Sequence, residues 1–139
     1  MYSPTTRSRM KKALLILIVS LAIFPAMAQK NTKMPNDMIQ HVVLFKFKPE
    51  ITPAKLKELE ESFAALPSQI KEIVGFQWGL NNSPEKHDKG FTHGYILTFR
   101  TEKDRDAYLP HPAHVAFGAK VGPWLADITV LDFKNQYKP

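Results

Sequence analysis

At 139 residues the chain has room for one ordinary domain and not for two large ones. It contains no cysteine, which rules out disulfide staples, thiolate metal sites and a thiol nucleophile, and leaves stability to a hydrophobic core or an oligomer interface. The formal net charge is +6, but Arg7, Arg9, Lys11 and Lys12 all precede Gln29; without them 15 Lys and Arg face 13 Asp and Glu, a net of +2, with no cluster fit for nucleic acid or an anionic membrane.

That basic head runs into Ala13–Phe24 (ALLILIVSLAIF) and then Ala26-Met27-Ala28, the order of a secretory signal peptide over residues 1–28, cut before Gln29. A membrane anchor is the rival reading, but twelve residues rising 1.5 Å each cover only about 18 Å of a hydrocarbon core roughly 30 Å thick. The mature chain is therefore expected to be exported to a periplasm or the medium, without membrane contact after cleavage. Residues 29–37 (QKNTKMPND) are polar and aperiodic and read as a flexible leader, residues 38–135 as one domain, and residues 136–139 as a tail.

In the domain, Ile39–Phe47 (IQHVVLFKF) alternates between a set with Ile39, His41, Val43, Phe45 and Phe47 and a set with Gln40, Val42, Leu44 and Lys46. Both sets are mostly apolar, so the strand should be covered on two sides. Thr52-Pro53 opens a helix as cap and first residue, with Leu56, Leu59, Phe63 and Leu66 as its inner stripe and Pro67 as its stop or kink. A second strand is expected over Val74–Asn81, with Val74, Phe76, Trp78 and Leu80 on one face. The polar stretch through Gly90 is a loop, and Thr92–Phe99 is a third strand carrying His93, Tyr95, Leu97 and Phe99 together.

Thr101 with Asp104 opens another helix, which Pro110 breaks near Leu109. Pro112 starts a further helical segment with His111 at its cap and Val115, Phe117 and Val121 turned inward, and Gly122-Pro123 stops it. Trp124–Phe133 is the last strand, with Ile128 and Val130 between polar neighbours. Strand, helix, strand, strand, helix, strand is the ferredoxin-like βαββαβ order of an α+β domain: one four-stranded antiparallel sheet with helices on one face. The other face carries Val42, Leu44 and Ile96, too apolar for water, so a homodimer packing two sheets face to face is expected.

Three separated segments, HVVLFKFKPEITPAKL at His41–Leu56, NNSPE with GFTHGYILTF at Asn81–Phe99, and AYLPHPAHVAF at Ala107–Phe117, resemble the stress-responsive A/B barrel (Dabb) family of the dimeric α/β barrel superfamily. The resemblance covers about residues 38 to 134. It implies a dimer of ferredoxin-like halves forming an α/β barrel, and a function that varies among members, from stress-associated proteins to a polyketide cyclase. The cyclase-type members place a histidine on strand one, a histidine on strand three and a tyrosine–histidine acid/base pair where this chain has His41, His93, Tyr108 and His114.

The resemblance thus makes Tyr108 and His114 the candidate catalytic pair. His41 and His93 join Val43, Phe45, Tyr95, Leu97, Phe117, Ile128 and Val130 as candidate ligand-binding residues of a pocket between sheet and helices. Such a pair needs no cofactor: a histidine takes a proton from an activated carbon, and a phenol donates a hydrogen bond to the carbonyl that becomes an enolate. The expected ligand is a small hydrophobic carbonyl compound. No metal is expected, because His111 and His114 are only two ligands and a zinc site wants three or four. The competing expectation is a non-catalytic binding or stress-stability protein whose histidines serve the architecture. A monooxygenase or haem-degrading role, known among related barrels, has no residue here that specifies it.

Overall fold

The computed structural model describes residues 37–136; the expected signal peptide, all but the last residue of the expected leader, and residues 137–139 lie outside them. Four strands, β1 (Ile39–Phe47), β2 (Gly75–Leu80), β3 (His93–Phe99) and β4 (Leu125–Lys134), form one sheet in the order β2-β3-β1-β4, every neighbouring pair antiparallel. The helices are α1 (Pro53–Ala64), the single turn α2 (Leu66–Gln69), α3 (Glu102–Tyr108) and α4 (Pro112–Val121). This is the ferredoxin-like arrangement, and the chain-order reading of the strands holds to within a residue or two. β2 starts at Gly75 rather than Val74. β4 starts at Leu125 because Gly122–Trp124, with Pro123 inside it, closes as a 3₁₀ turn.

The strand alternation decides which side of the sheet is core. On β1 the odd-numbered residues from Ile39 to Phe45 are buried and the even-numbered ones only partly so. Ladder partners point the same way, so Tyr95 and Leu97 opposite Val43 and His41, and Phe76 and Trp78 opposite Leu97 and Tyr95, continue that face across β3 and β2. Helix α1 enters cleanly because Thr52 Oγ1 accepts from the Lys55 N–H and Pro53, which has no N–H to lose, comes first. It lays Leu59 and Phe63 onto the sheet, and Phe63 stacks on Tyr95 with ring centroids 4.2 Å apart and meets Phe117 of α4 at 4.6 Å. Lys120 ties the two helices on their outer side, donating to Ser62 Oγ and to Glu58 Oε1, each at 2.8 Å.

The helix-free face is apolar. Val42, Leu44 and Ile96 are only partly covered, and Leu131 and Phe133 on β4, which share their face, are 59% and 46% exposed. A loop from Asn81 to Thr92 rises beside this face and is fastened to β1, where Lys46 Nζ donates to the Lys89 carbonyl at 3.0 Å. Gly90, at φ +87°, is the residue the Lys46 stem lies against. A Cβ there would sit 2.8 Å from Lys46 Cε, the movable end of a flexible side chain, so it is the positive φ that calls for glycine.

Candidate functional site

The joint between α3 and α4 is a sequence of satisfied caps. Thr101 Oγ1 accepts from Asp104 N–H to open α3, and the helix ends at Tyr108 because Pro110 has no N–H to continue it. His111 then caps α4, its Nδ1 accepting from Ala113 N–H at 3.2 Å, with Pro112 in the first turn. That bond assigns His111 to the architecture. One turn further, His114 folds back over the joint, and its Nδ1–H donates to the Leu109 carbonyl at 2.8 Å. The carbonyl can only accept, so the neutral ring carries its proton on Nδ1 and leaves the lone pair on Nε2.

This fold-back lays the His114 ring on Tyr108, centroids 4.2 Å apart. On the other side of the phenol, His41 of β1 meets Tyr108 edge-on at 5.7 Å, and Phe99 closes the third side at 5.1 Å. Tyr108 is buried, and that burial pushes its phenol well above the ordinary tyrosine value. Across the working pH range it is therefore an O–H donor and never a phenolate base. Tyr108 Oη and His41 Nε2 have no hydrogen-bond partner among the described residues. Little of either residue reaches the surface: Tyr108 is 1% exposed and His41 5%.

His41 Nδ1 is 2.6 Å from Asp132 Oδ1, its ladder partner on β4, and the second Asp132 oxygen accepts from the guanidinium of Arg105 on α3. Arg105 Nε also donates to Asp106 at 2.7 Å; this bond first, and the one to Asp132 after it, push the guanidinium further up. Asp132 and Arg105 were not among the residues the sequence singled out. The available signals were that Asp132 shares the face of Ile128 and Val130, and that Arg105 sits one turn before Tyr108.

The second strand histidine is placed differently. His93 is buried under α1, with Nε2 3.1 Å from Glu60 Oε1 and Nδ1 2.8 Å from Thr92 Oγ1. Neither nitrogen is free, and Trp78 and Tyr95 lie nearly parallel to the ring. Val43, Phe45, Tyr95, Leu97 and Phe117, expected to line a pocket, are packed into the core. Ile128 and Val130 do face the helix side beside Asp132, but about half of each is exposed, which makes them an apolar shelf at the edge of the site. A cavity of about 690 Å³ lies at the β2–β3 side of the sheet, lined by Val42, Leu44 and Ile96, by Trp78, His93 and Tyr95, and by the loop after β2, so that His93 and Tyr95 of the expected ligand-binding set border it. Its lining includes neither Tyr108 nor His114. Among the described residues no three His, Asp or Glu side chains converge as metal ligands would.

Residues 39–135 match the family model described as the Stress Responsive A/B Barrel Domain. The stress-response A/B barrel domain-containing protein HS1 of Arabidopsis thaliana is 34% identical over 96 residues, 69% of this chain and 88% of that protein. Olivetolic acid cyclase of Cannabis sativa is 28% identical over 95 residues, 68% of this chain and 94% of the cyclase. Among solved structures, a dimeric protein of unknown function with a ferredoxin-like fold from Bacteroides fragilis superposes with a TM-score of 0.57 at 27% identity, covering 70% of this chain and 95% of that one. With a family model over the whole domain and a relative this similar across it, the chain belongs to the stress-responsive A/B barrel family.

Proposed function

We propose that this protein is an exported homodimer, cut before Gln29, that binds a small hydrophobic carbonyl compound at Tyr108 and assists removal of a proton next to the carbonyl without a cofactor. The observation that carries the reading is the close contact of the Tyr108 and His114 rings, centroids 4.2 Å apart and tilted by 37°. A phenol held protonated by burial offers an O–H for the carbonyl oxygen, and His114 offers an Nε2 lone pair for the neighbouring C–H. When the base takes the proton, the C–H electrons move to the carbonyl oxygen, and the enolate so formed stays on the Tyr108 hydroxyl. Ile128 and Val130 offer the apolar surface for the rest of the ligand. That one relative is a cyclase is consistent with enolate chemistry. The exposed Leu131 and Phe133 beside Val42, Leu44 and Ile96 favour a dimer through the helix-free face, as a dimeric relative of the same fold suggests.

The test is hydrogen–deuterium exchange at the α-carbon of 4-phenylbutan-2-one in D₂O, followed by NMR with the mature protein. Exchange above buffer is expected. Tyr108→Phe should lower it on the order of 100-fold, and His114→Gln by at least about tenfold. The competing reading, a binding or stability protein, is favoured by His93 and His111, whose bonds to Glu60, Thr92 and Ala113 are structural. A protein that exchanges nothing, yet melts higher in the presence of the ketone, would decide for it.

A further inference from the structure

His41 is buried and bonds through one nitrogen while the other has no hydrogen-bond partner among the described residues, and this division is imposed by groups from two other elements. Asp132 lies opposite His41 in the β1–β4 ladder, so backbone register alone brings its carboxylate to Nδ1, at 2.6 Å. A carboxylate facing a neutral imidazole can only accept, so Nδ1 holds the proton and Nε2 the lone pair. Asp132 is in turn held by Arg105, whose guanidinium is braced from behind by Asp106. Arg105 reaches across from α3, the helix that carries Tyr108 three residues later, so the phenol and the guanidinium that holds Asp132 come from one helix.

We propose that Asp132 and Arg105 are positioning residues that hold His41 in the tautomer with a bare Nε2, making it a second proton acceptor in the cluster around the Tyr108 ring. The Tyr108 ring then has an imidazole on either side, His114 with its centroid at 4.2 Å and His41 at 5.7 Å. A carbonyl compound gripped by the hydroxyl can lose a proton to either ring. With His41 as acceptor, the proton goes to Nε2, the C–H electrons go to the carbonyl oxygen, and the imidazolium charge lies against the Asp132 carboxylate. The proton-accepting part of this inference rests on the reading of the Tyr108 site given above, and the tautomer part does not.

Both parts are read separately on the mature protein with ¹⁵N-labelled histidine. Long-range ¹H–¹⁵N correlation at mildly alkaline pH, with His41→Gln to assign the signal, should show a protonated Nδ1 and a bare Nε2. Asp132→Asn and Arg105→Met should each convert this into a mixture of tautomers, while the signals of His93, held by Glu60 and Thr92, stay in place as a control for the fold. A bare Nδ1 in the unaltered protein, or a His41 tautomer indifferent to both substitutions, overturns the inference. In the exchange assay, exchange surviving in His114→Gln should fall at least about tenfold further when Asp132→Asn is added. Unchanged residual exchange would overturn the role of His41 as acceptor. If the unaltered protein exchanges nothing, the carbonyl chemistry fails, and with it the acceptor role, and the tautomer spectrum alone decides the positioning.

Discussion

Tyr108→Phe separates a chemical from a structural role more cleanly than any other single change in this site. It removes one oxygen and keeps the ring on His114 at 4.2 Å, Phe99 at 5.1 Å and His41 at 5.7 Å. Because Oη has no hydrogen-bond partner among the described residues, no protein donor or acceptor is orphaned by its loss. The expected cost is that of a neutral substitution, within about 0.5 kcal/mol. Had the hydroxyl been satisfied by a buried partner, the loss would be about 1–3 kcal/mol from the group left behind. For a domain of this size each 1 kcal/mol moves the melting temperature by roughly 4–8 °C, so the two cases are easily told apart. Urea unfolding followed through Trp78 and Trp124 gives the stability, and α-proton exchange on 4-phenylbutan-2-one gives the chemistry. Tyr108→Ala cannot substitute for it, since emptying a fully buried aromatic site costs about 3–5 kcal/mol whatever the hydroxyl does. A Tyr108→Phe protein destabilised by more than about 1.5 kcal/mol, or one that exchanges at the original rate, would refute the reasoning.

Other consequences are as direct. Phe133→Lys or Leu131→Lys places a charge on the exposed apolar sheet face and should turn the proposed dimer into a monomer in sedimentation at micromolar concentration, with the far-UV spectrum kept. Lys120, and Lys55 after it, hold the Glu58 carboxyl down at about 2 against an ordinary 4.5. A depressed folded value means that the tie between α1 and α4 contributes above pH 4.5 and is lost as pH falls through about 2, so a ¹³C titration of Glu58 should show that midpoint and Lys120→Met should raise it. Thr52→Ala removes the acceptor for the Lys55 N–H at the start of α1 and should cost about 1 kcal/mol in urea unfolding, with little effect on the Tyr108 site.

Much of this architecture is legible in the chain because it depends on short-range periodicity. The two interleaved sets in Ile39–Phe47 correctly separate the helix side from the bare side. Thr52-Pro53, Thr101 with Asp104, and His111-Pro112 each mark a helix start that a side-chain bond then confirms. What alternation cannot give is the space between layers. Val43, Phe45, Leu97 and Phe117 lie on the expected face, yet they fill the volume with one another, while Tyr95 of the same set also borders the cavity. Nor can it give partners across the sheet. His41 and Asp132 are 91 residues apart and Arg105 is 27 from Asp132, so the chain of charges exists only once β4 has paired with β1. The pairing of Tyr108 with His114 came from family resemblance, because the two prolines between them leave their relative direction open until the joint is folded.

The two strand histidines show why residue type alone does not define this site. His41 and His93 stand on the same face of adjacent strands, near opposite ends of the β1–β3 ladder, and each has a carboxylate on one ring nitrogen. They differ in one neighbour. Beside His93, Thr92 closes the remaining nitrogen with its hydroxyl, and the ring becomes a brace between α1 and β3. Beside His41, the remaining side is taken by the aromatic rings of Tyr108 and Phe99, which occupy space without bonding to Nε2. The hydroxyl makes His93 a fully bonded clamp at one end of the ladder, whereas the aromatic neighbours of His41 leave it one ring nitrogen without a hydrogen bond at the other. The joint after α3 adds His114 at the His41 end only, so the proposed acid/base pair belongs to that end, while the His93 end, with its Trp78 and Tyr95 stack, borders the cavity.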